Sequence, residues 1–210
     1  MGREILIATR NLGKVGELTK LLTDLPFVWR NLSEFTKILE VAETGVTFVE
    51  NAEKKAREYA LQSNLWTLAD DSGLEVEALN NAPGVFSARF GGSDLTDAQR
   101  TQKLLAKVNQ TKNKERRARF ICVIALANPL GEIVHKTNGI CYGHLSVTAA
   151  GTSGFGYDSI FIPENFELTF AQLSEEIKNK ISHRAQAVQQ MSRFLRDFFN
   201  VSLDQANEHR

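Results

Sequence analysis

Apolar residues along this chain change spacing several times, and each change marks a boundary between strand and helix. Residues 4–9, Glu-Ile-Leu-Ile-Ala-Thr, form the short apolar run of a buried strand. Asn11 follows as an N-cap, and Val15, Leu18, Leu22 and Leu25 then recur at helical spacing. Thr47-Phe48-Val49-Glu50 has the form of a capping box, and Phe48, Ala52, Ala56 and Tyr59 continue one helical face. Residues 65–69 read as the next strand, ending on Asp70-Asp71-Ser72-Gly73. Asn80, Asn81, Pro83 and Gly84 mark a turn. Residues 95–108 are helical in pattern. Residues 119–127 form a strand of β-formers, and 133–145 its antiparallel return after Pro129 and Gly131. Six glycines between positions 131 and 156 make that stretch loop-dense. A last helix starts at the capping residue Ser182, with Val188, Met191, Leu195, Phe198 and Phe199 toward the core.

Strands alternating with helices, then a hairpin, predict an α/β fold. Its mixed β-sheet is flanked by helices, in two lobes with a groove between them. No repeat or linker interrupts the 210 residues, so residues 1–200 are expected to form a single domain of two lobes and 201–210 a frayed polar tail. With 42% hydrophobic residues the chain can build a sizeable core. Basic and acidic residues number 25 each, and a net charge of zero argues against a general nucleic-acid or membrane-surface partner. Lys114 to Arg119 looks like a basic patch but has no interleaved aromatics, and we do not assign it to nucleic acid. Two cysteines, Cys122 and Cys141, allow neither a disulfide scaffold nor a Cys-x-x-Cys zinc site. No apolar run approaches the roughly 20 residues of a membrane helix, and residues 5–8 are too short for a signal-peptide core. The expected compartment is the cytoplasm.

Five segments bear on chemistry. Thr9-Arg10-Asn11-Leu12-Gly13-Lys14 lies between a strand and a helix, where free N–H groups and the dipole suit phosphate. The same residues also fit an ordinary helix cap with a solvated lysine. Asp70-Asp71-Ser72-Gly73 places two adjacent carboxylates at a strand end, suited to Mg²⁺ shared with substrate phosphates or to a simple Asx turn. Glu43 offers a third carboxylate, and Lys55 lies one helical turn beyond Asn51; taken singly, each also fits a solvated surface side chain. Residues 151–158, Gly-Thr-Ser-Gly-Phe-Gly-Tyr-Asp, combine glycines that permit close backbone approach with two aromatics able to stack on a base. His183 and Arg184 put cations in the first turn of a helix, against its dipole, a local conflict of the kind functional sites carry. His135, His144 and His209 show no metal-ligand spacing. Together these segments describe a nucleotide enzyme.

The order of the motifs resembles the inosine/xanthosine triphosphate pyrophosphatases over roughly Ile5 to Phe198. The matching pieces are residues 8–14, Glu43-Thr44-Gly45, residues 48–52 with Lys55-Ala56, residues 69–74, residues 82–89, residues 154–158, and Ser182-His183-Arg184. The resemblance implies Mg²⁺-dependent hydrolysis of ITP, dITP and XTP to monophosphate and pyrophosphate, clearing them from the nucleotide pool. It also implies a homodimer, and a site in the cleft between two α/β lobes. By the same resemblance Thr9, Arg10, Asn11, Leu12, Gly13 and Lys14 hold the phosphates with Lys55. Glu43 and Asp71 bind Mg²⁺, with Asp70 kept as a further candidate ligand. Asp71 is also the catalytic base, and Ser72 touches substrate. Phe155, Gly156, Tyr157, Asp158, Lys178, His183 and Arg184 take the base and sugar end. Three positions depart from the family pattern: Arg10 stands where a small residue is usual, Phe90 for a tyrosine, and Ser159 for a proline. None removes a proposed ligand.

Overall fold

The computed structural model describes residues 2–111 and 115–200; the proposed tail lies outside them. Six strands form one mixed sheet in the order β2-β1-β3-β4-β5-β6. Strand β1 (Glu4–Ile7) pairs in parallel with β2 (Val28–Asn31) and with β3 (Trp66–Val76). Strands β4 (Arg117–Ala127) and β5 (Ile133–Leu145) are sheet neighbours joined by five residues, too few for a parallel crossover, so they form a hairpin. Strand β6 (Phe161–Pro163) closes the order antiparallel to β5. The helices are α1 (Leu12–Leu21), α2 (Phe48–Ser63), α3 (Asp97–Gln110), α4 (Glu175–Ile181) and α5 (His183–Phe198). The α/β class and the mixed sheet are as the pattern predicts.

The chain divides into two compact units. The first comprises Met1–Asp71, Cys122–Asn138 and Arg184–Arg210, the second Ser72–Ile121 and Gly139–His183. The first unit's core joins Ile5 and Ile7 of β1, Leu18 of α1, Leu68 of β3, Ile124 and Leu126 of β4, and Val188, Met191 and Leu195 of α5. The second unit's core joins Leu74 and Val76 of β3, Leu104 and Val108 of α3, Phe120 of β4, and Tyr157, Phe161 and Phe170. In that core Phe120 meets Phe161 edge-on at 4.7 Å.

Helix starts follow the capping rules closely. Asn11 Oδ1 accepts from the Lys14 N–H at 3.1 Å, and Thr96 with Gln99 forms a reciprocal capping box on α3. At α2 only half of the expected box forms. Thr47 Oγ1 accepts from the Glu50 N–H, whereas the Glu50 carboxylate takes the N–H of Val46 instead of Thr47.

Four features differ from the sequence pattern. Helix α1 stops at Leu21, and the Thr23 hydroxyl donates to the carbonyls of Thr19 and Lys20, leaving Leu25 buried beyond the helix. Strands β2 and β6 and helix α4 have no counterpart in it, because runs of three to seven residues are too short to show a period. Phe198 is 44% exposed, although its ring packs edge-on against Trp66 and Phe199. Most important, Asp70-Asp71-Ser72-Gly73 does not end a strand but runs through the middle of β3.

Candidate active site

The position of Asp70 and Asp71 inside β3 explains how two adjacent carboxylates coexist. Consecutive strand residues point to opposite faces, so each meets its own cations. Asp70 is fully buried. Its Oδ2 lies 2.9 Å from Lys14 Nζ and 3.5 Å from an Arg184 guanidinium nitrogen. Arg184 in turn pairs with Glu17, so Lys14, Asp70, Arg184 and Glu17 form one alternating chain of charge. Burial alone would raise the Asp70 pKa, but Lys14, then Arg184 and Lys55, overcome it and hold the group well below the usual carboxylate range.

Asp71 is placed differently. Its Oδ1 lies 3.3 Å from Lys55 Nζ, and Lys55 also holds Glu43 at 2.5 Å. Asn51 Nδ2 donates to Asp71 Oδ2 at 3.1 Å, while Asn51 Oδ1 accepts from the Gly45 N–H at 2.8 Å. One buried amide thus ties the Glu43 segment to Asp71. Gly45 is required there: a Cβ would stand 2.7 Å from Glu50 Cβ and 2.8 Å from Asn51 Oδ1. The Asp71 pKa is pushed up, first by burial and then by Glu43, against the pull of Lys55, Lys14 and the Asn51 hydrogen bond. Burial works against the Lys55 ammonium, but Asp71, Asp70 and Glu43 outweigh it and raise its pKa.

The helix α1 entrance is closely tied. Thr9 Oγ1 accepts from the Asn11 N–H at 3.2 Å, so both proposed polar contacts already serve the cap. Leu12 is 84% exposed and Gly13 half-buried. Arg10 is exposed and reaches the carbonyl of Ile38 at 3.3 Å.

In the second unit, the 154–158 loop closes on itself. Asp158 Oδ2 accepts from the Phe155 N–H at 2.9 Å and pairs with Lys178. A Cβ on Gly154 would stand 2.1 Å from that same oxygen, at a φ of +77°. The Lys178 ammonium lies 5.2 Å from the Phe155 ring centre and 5.6 Å from that of Phe170. The buried His183 ring stacks on Phe120 at 4.6 Å, nearly parallel. Tyr157 is buried and its hydroxyl donates to the Ser87 carbonyl at 2.9 Å. Ser72 is half-buried on β3. Phe155, Asp158 and Lys178 therefore form one cluster, with His183 joined to it through Phe120 and Phe170.

The basic run after residue 114 is engaged internally. Arg116 donates to the carbonyls of Leu145 and Ser146, Arg117 pairs with Glu77, and Arg119 with Glu75. Glu17 carries no sequence signal besides its place one turn beyond Lys14, and Asn51 stands out in the sequence only as a motif member and a same-face neighbour of Lys55.

Among the described residues no group of three or more His, Cys, Asp or Glu side chains has metal-site geometry. Glu43 and Asp71 nevertheless fit Mg²⁺. They are hard oxygen donors converging on one cation, and Mg²⁺ commonly takes one or two carboxylates with phosphates and waters completing its shell. Asp70, held by Lys14 and Arg184, does not share in that convergence.

The profile of the Ham1 family matches residues 5–194. A dITP/XTP pyrophosphatase of Coxiella burnetii is 44% identical over 202 residues, 94% of this chain and 99% of that protein. One from Exiguobacterium sibiricum is 43% identical over 195 residues, 93% and 98% of the two chains. Among solved structures, a HAM1 protein from Coxiella burnetii has a TM-score of 0.85 at 43% identity, covering 93% of this chain and 99% of its own. The Ham1 protein of Staphylococcus aureus has 0.81 at 40% identity, covering 93% and 100%.

Proposed function

Since the chain belongs to the Ham1 family, we propose that it hydrolyses the purine nucleoside triphosphates ITP, dITP and XTP to monophosphate and pyrophosphate. The observation that carries this reading is the buried Asp71, sharing Lys55 with Glu43. Clearance of such nucleotides from the pool is its consequence for the cell, and a homodimer is the assembly we propose.

Water supplies the nucleophile: its oxygen bonds to the α-phosphorus as the bond to the β-bridging oxygen breaks. Asp71, with its pKa raised, takes the water's proton. Bound at Glu43 and Asp71, Mg²⁺ would neutralise the charge that develops on the leaving pyrophosphate. Lys14, Lys55 and the N–H groups of Leu12 and Gly13 at the start of α1 bind the phosphates, with Thr9, Arg10 and Asn11 beside them, and positioning with charge neutralisation does most of the work. Lys14 and Arg184 neutralise Asp70, which keeps an unbalanced carboxylate away from an anionic substrate.

Ser72, Phe155, Gly156, Tyr157, Asp158, Lys178, His183 and Arg184 are proposed for the base and sugar end. A 6-oxo purine presents an acceptor where adenine presents an amino donor. Ammonium and backbone N–H groups only donate. An amino group facing them leaves buried donors unsatisfied, at about 1–3 kcal/mol.

The test is product analysis with ITP, XTP, GTP and ATP, with and without Mg²⁺, separating pyrophosphate from orthophosphate. Pyrophosphate from ITP and XTP, scarcely from ATP, and only with Mg²⁺, is the expected result. Orthophosphate alone would place attack at the γ-phosphorus and overturn the mechanism.

A further inference from the structure

The 154–158 loop is not shaped by its own side chains alone. Gly156 has a φ of +61° and open space where a Cβ would stand, so nothing at that position holds it. Both of its backbone groups are held from helix α3 instead. The Gly156 N–H donates to Asp97 Oδ2 at 2.6 Å, and the Gly156 carbonyl accepts from Thr101 Oγ1 at 3.3 Å. Asp97 and Thr101 are four residues apart, hence on one face of the helix. They present an acceptor and a donor to the same glycine. The neighbours of Gly156 are held by other partners: Phe155 by Asp158, Tyr157 by the Ser87 carbonyl. Without the α3 contacts, the link between two fixed aromatics would be a glycine free to change its φ.

Asp97 is not needed to cap α3. Thr96 and Gln99 already form the capping box, and Asp97, the first residue of the helix, is exposed. Its carboxylate faces a backbone N–H of a distant loop, 59 positions along the chain. Thr101 is buried, and a threonine on a helix usually turns its hydroxyl to its own backbone; here it reaches the loop.

We infer that Asp97, together with Thr101, is a positioning residue that sets base preference by fixing the backbone of Gly156, the link between Phe155 and Tyr157. This rests on the reading of the 154–158 loop as the base end.

The experiment compares kcat/KM for ITP and ATP in the wild type and in Asp97→Ala, Asp97→Asn, Thr101→Val and Phe155→Ala. Calorimetric affinity for inosine monophosphate in metal-free buffer and thermal midpoints accompany it. Loss of a charge-assisted hydrogen bond should narrow the ITP-over-ATP preference about tenfold in Asp97→Ala. The change should fall on KM, with a matching loss of monophosphate affinity. Thr101→Val should act in the same direction and less. Asp97→Asn keeps an acceptor oxygen and should stay close to wild type. A role confined to helix charge predicts that Ala and Asn lower the midpoint alike with preference unchanged, which would overturn the inference. If Phe155→Ala shifts preference while both α3 variants leave it intact, the inference fails and the loop's assignment stands. If Phe155→Ala also leaves it intact, the assignment of the loop fails, and the inference with it.

Discussion

Asp70 and Asp71 carry the same side chain one residue apart, yet their surroundings separate their chemistry. Asp70 balances two buried or nearly buried cations. Removing it leaves Lys14 and Arg184 without that partner, and Asp70→Ala should cost about 3–5 kcal/mol of stability in urea unfolding. Asp71 sits beside Glu43 with its pKa raised, so Asp71→Asn should keep the fold while turnover falls by about 10²–10⁴-fold. A large stability loss in Asp71→Asn, or a stable but inactive Asp70→Ala, would exchange the two roles. The cysteines offer a separate check. Burial pushes the thiols of Cys122 and Cys141 up to about 12. Their folded pKa values lie above the unfolded one, so both contribute stability below roughly pH 8.5 that is lost as pH rises toward the folded values. Native protein at pH 8 should therefore resist thiol alkylation, and denatured protein should be modified at both positions. Rapid native labelling would contradict the burial.

At the scale of the element, strand β3 shows why local signals misplace a boundary. Two aspartates, a serine and a glycine read as a strand end, since each is a turn residue. Cations supplied by α1, α2 and α5 make the carboxylates tolerable inside the sheet, and the strand continues to Val76. The 154–158 loop shows the opposite case, where glycine content announces a constraint correctly. At Gly154 a Cβ would collide with the Asp158 carboxylate at a left-handed φ. Gly154→Ala should cost about 1–3 kcal/mol and weaken substrate binding by displacing Asp158 from Lys178. Unchanged stability and KM would show that the loop yields without loss.

For the whole molecule, β3 and β4 each feed both cores. Leu68 belongs to one core and Leu74 to the other; Ile124 and Phe120 divide likewise. Both tryptophans, Trp29 and Trp66, pack against the first unit's core. Their fluorescence reports that unit, whereas far-ultraviolet dichroism reports the helices and strands of both. Strands that run from one core to the other should make unfolding cooperative, so the two urea transitions should coincide. Separated midpoints would show two independently stable units. None of the helices among the described residues is long and apolar enough to span a membrane.

The sequence by itself determined the long elements and named candidate residues for the chemistry. Helices α2, α3 and α5 and the β4–β5 hairpin repeat their apolar period often enough to be recognised, and Asn11 and Thr47 carry their capping chemistry in the side chain. Glu43 and Lys55 read singly as solvated side chains and Asp71 as part of a turn, and it is the order of the motifs, with the glycines and aromatics of residues 151–158, that singles them out. Only the tertiary structure decided which cation meets which carboxylate. Pairings such as Arg184 with Glu17 and Asp70 join residues more than a hundred positions apart. Likewise α3 holds Gly156 through a contact that no local spacing encodes. Strand alternation and helix periodicity are short-range properties of the chain, whereas charge pairing depends on distances that exist only after the elements have packed.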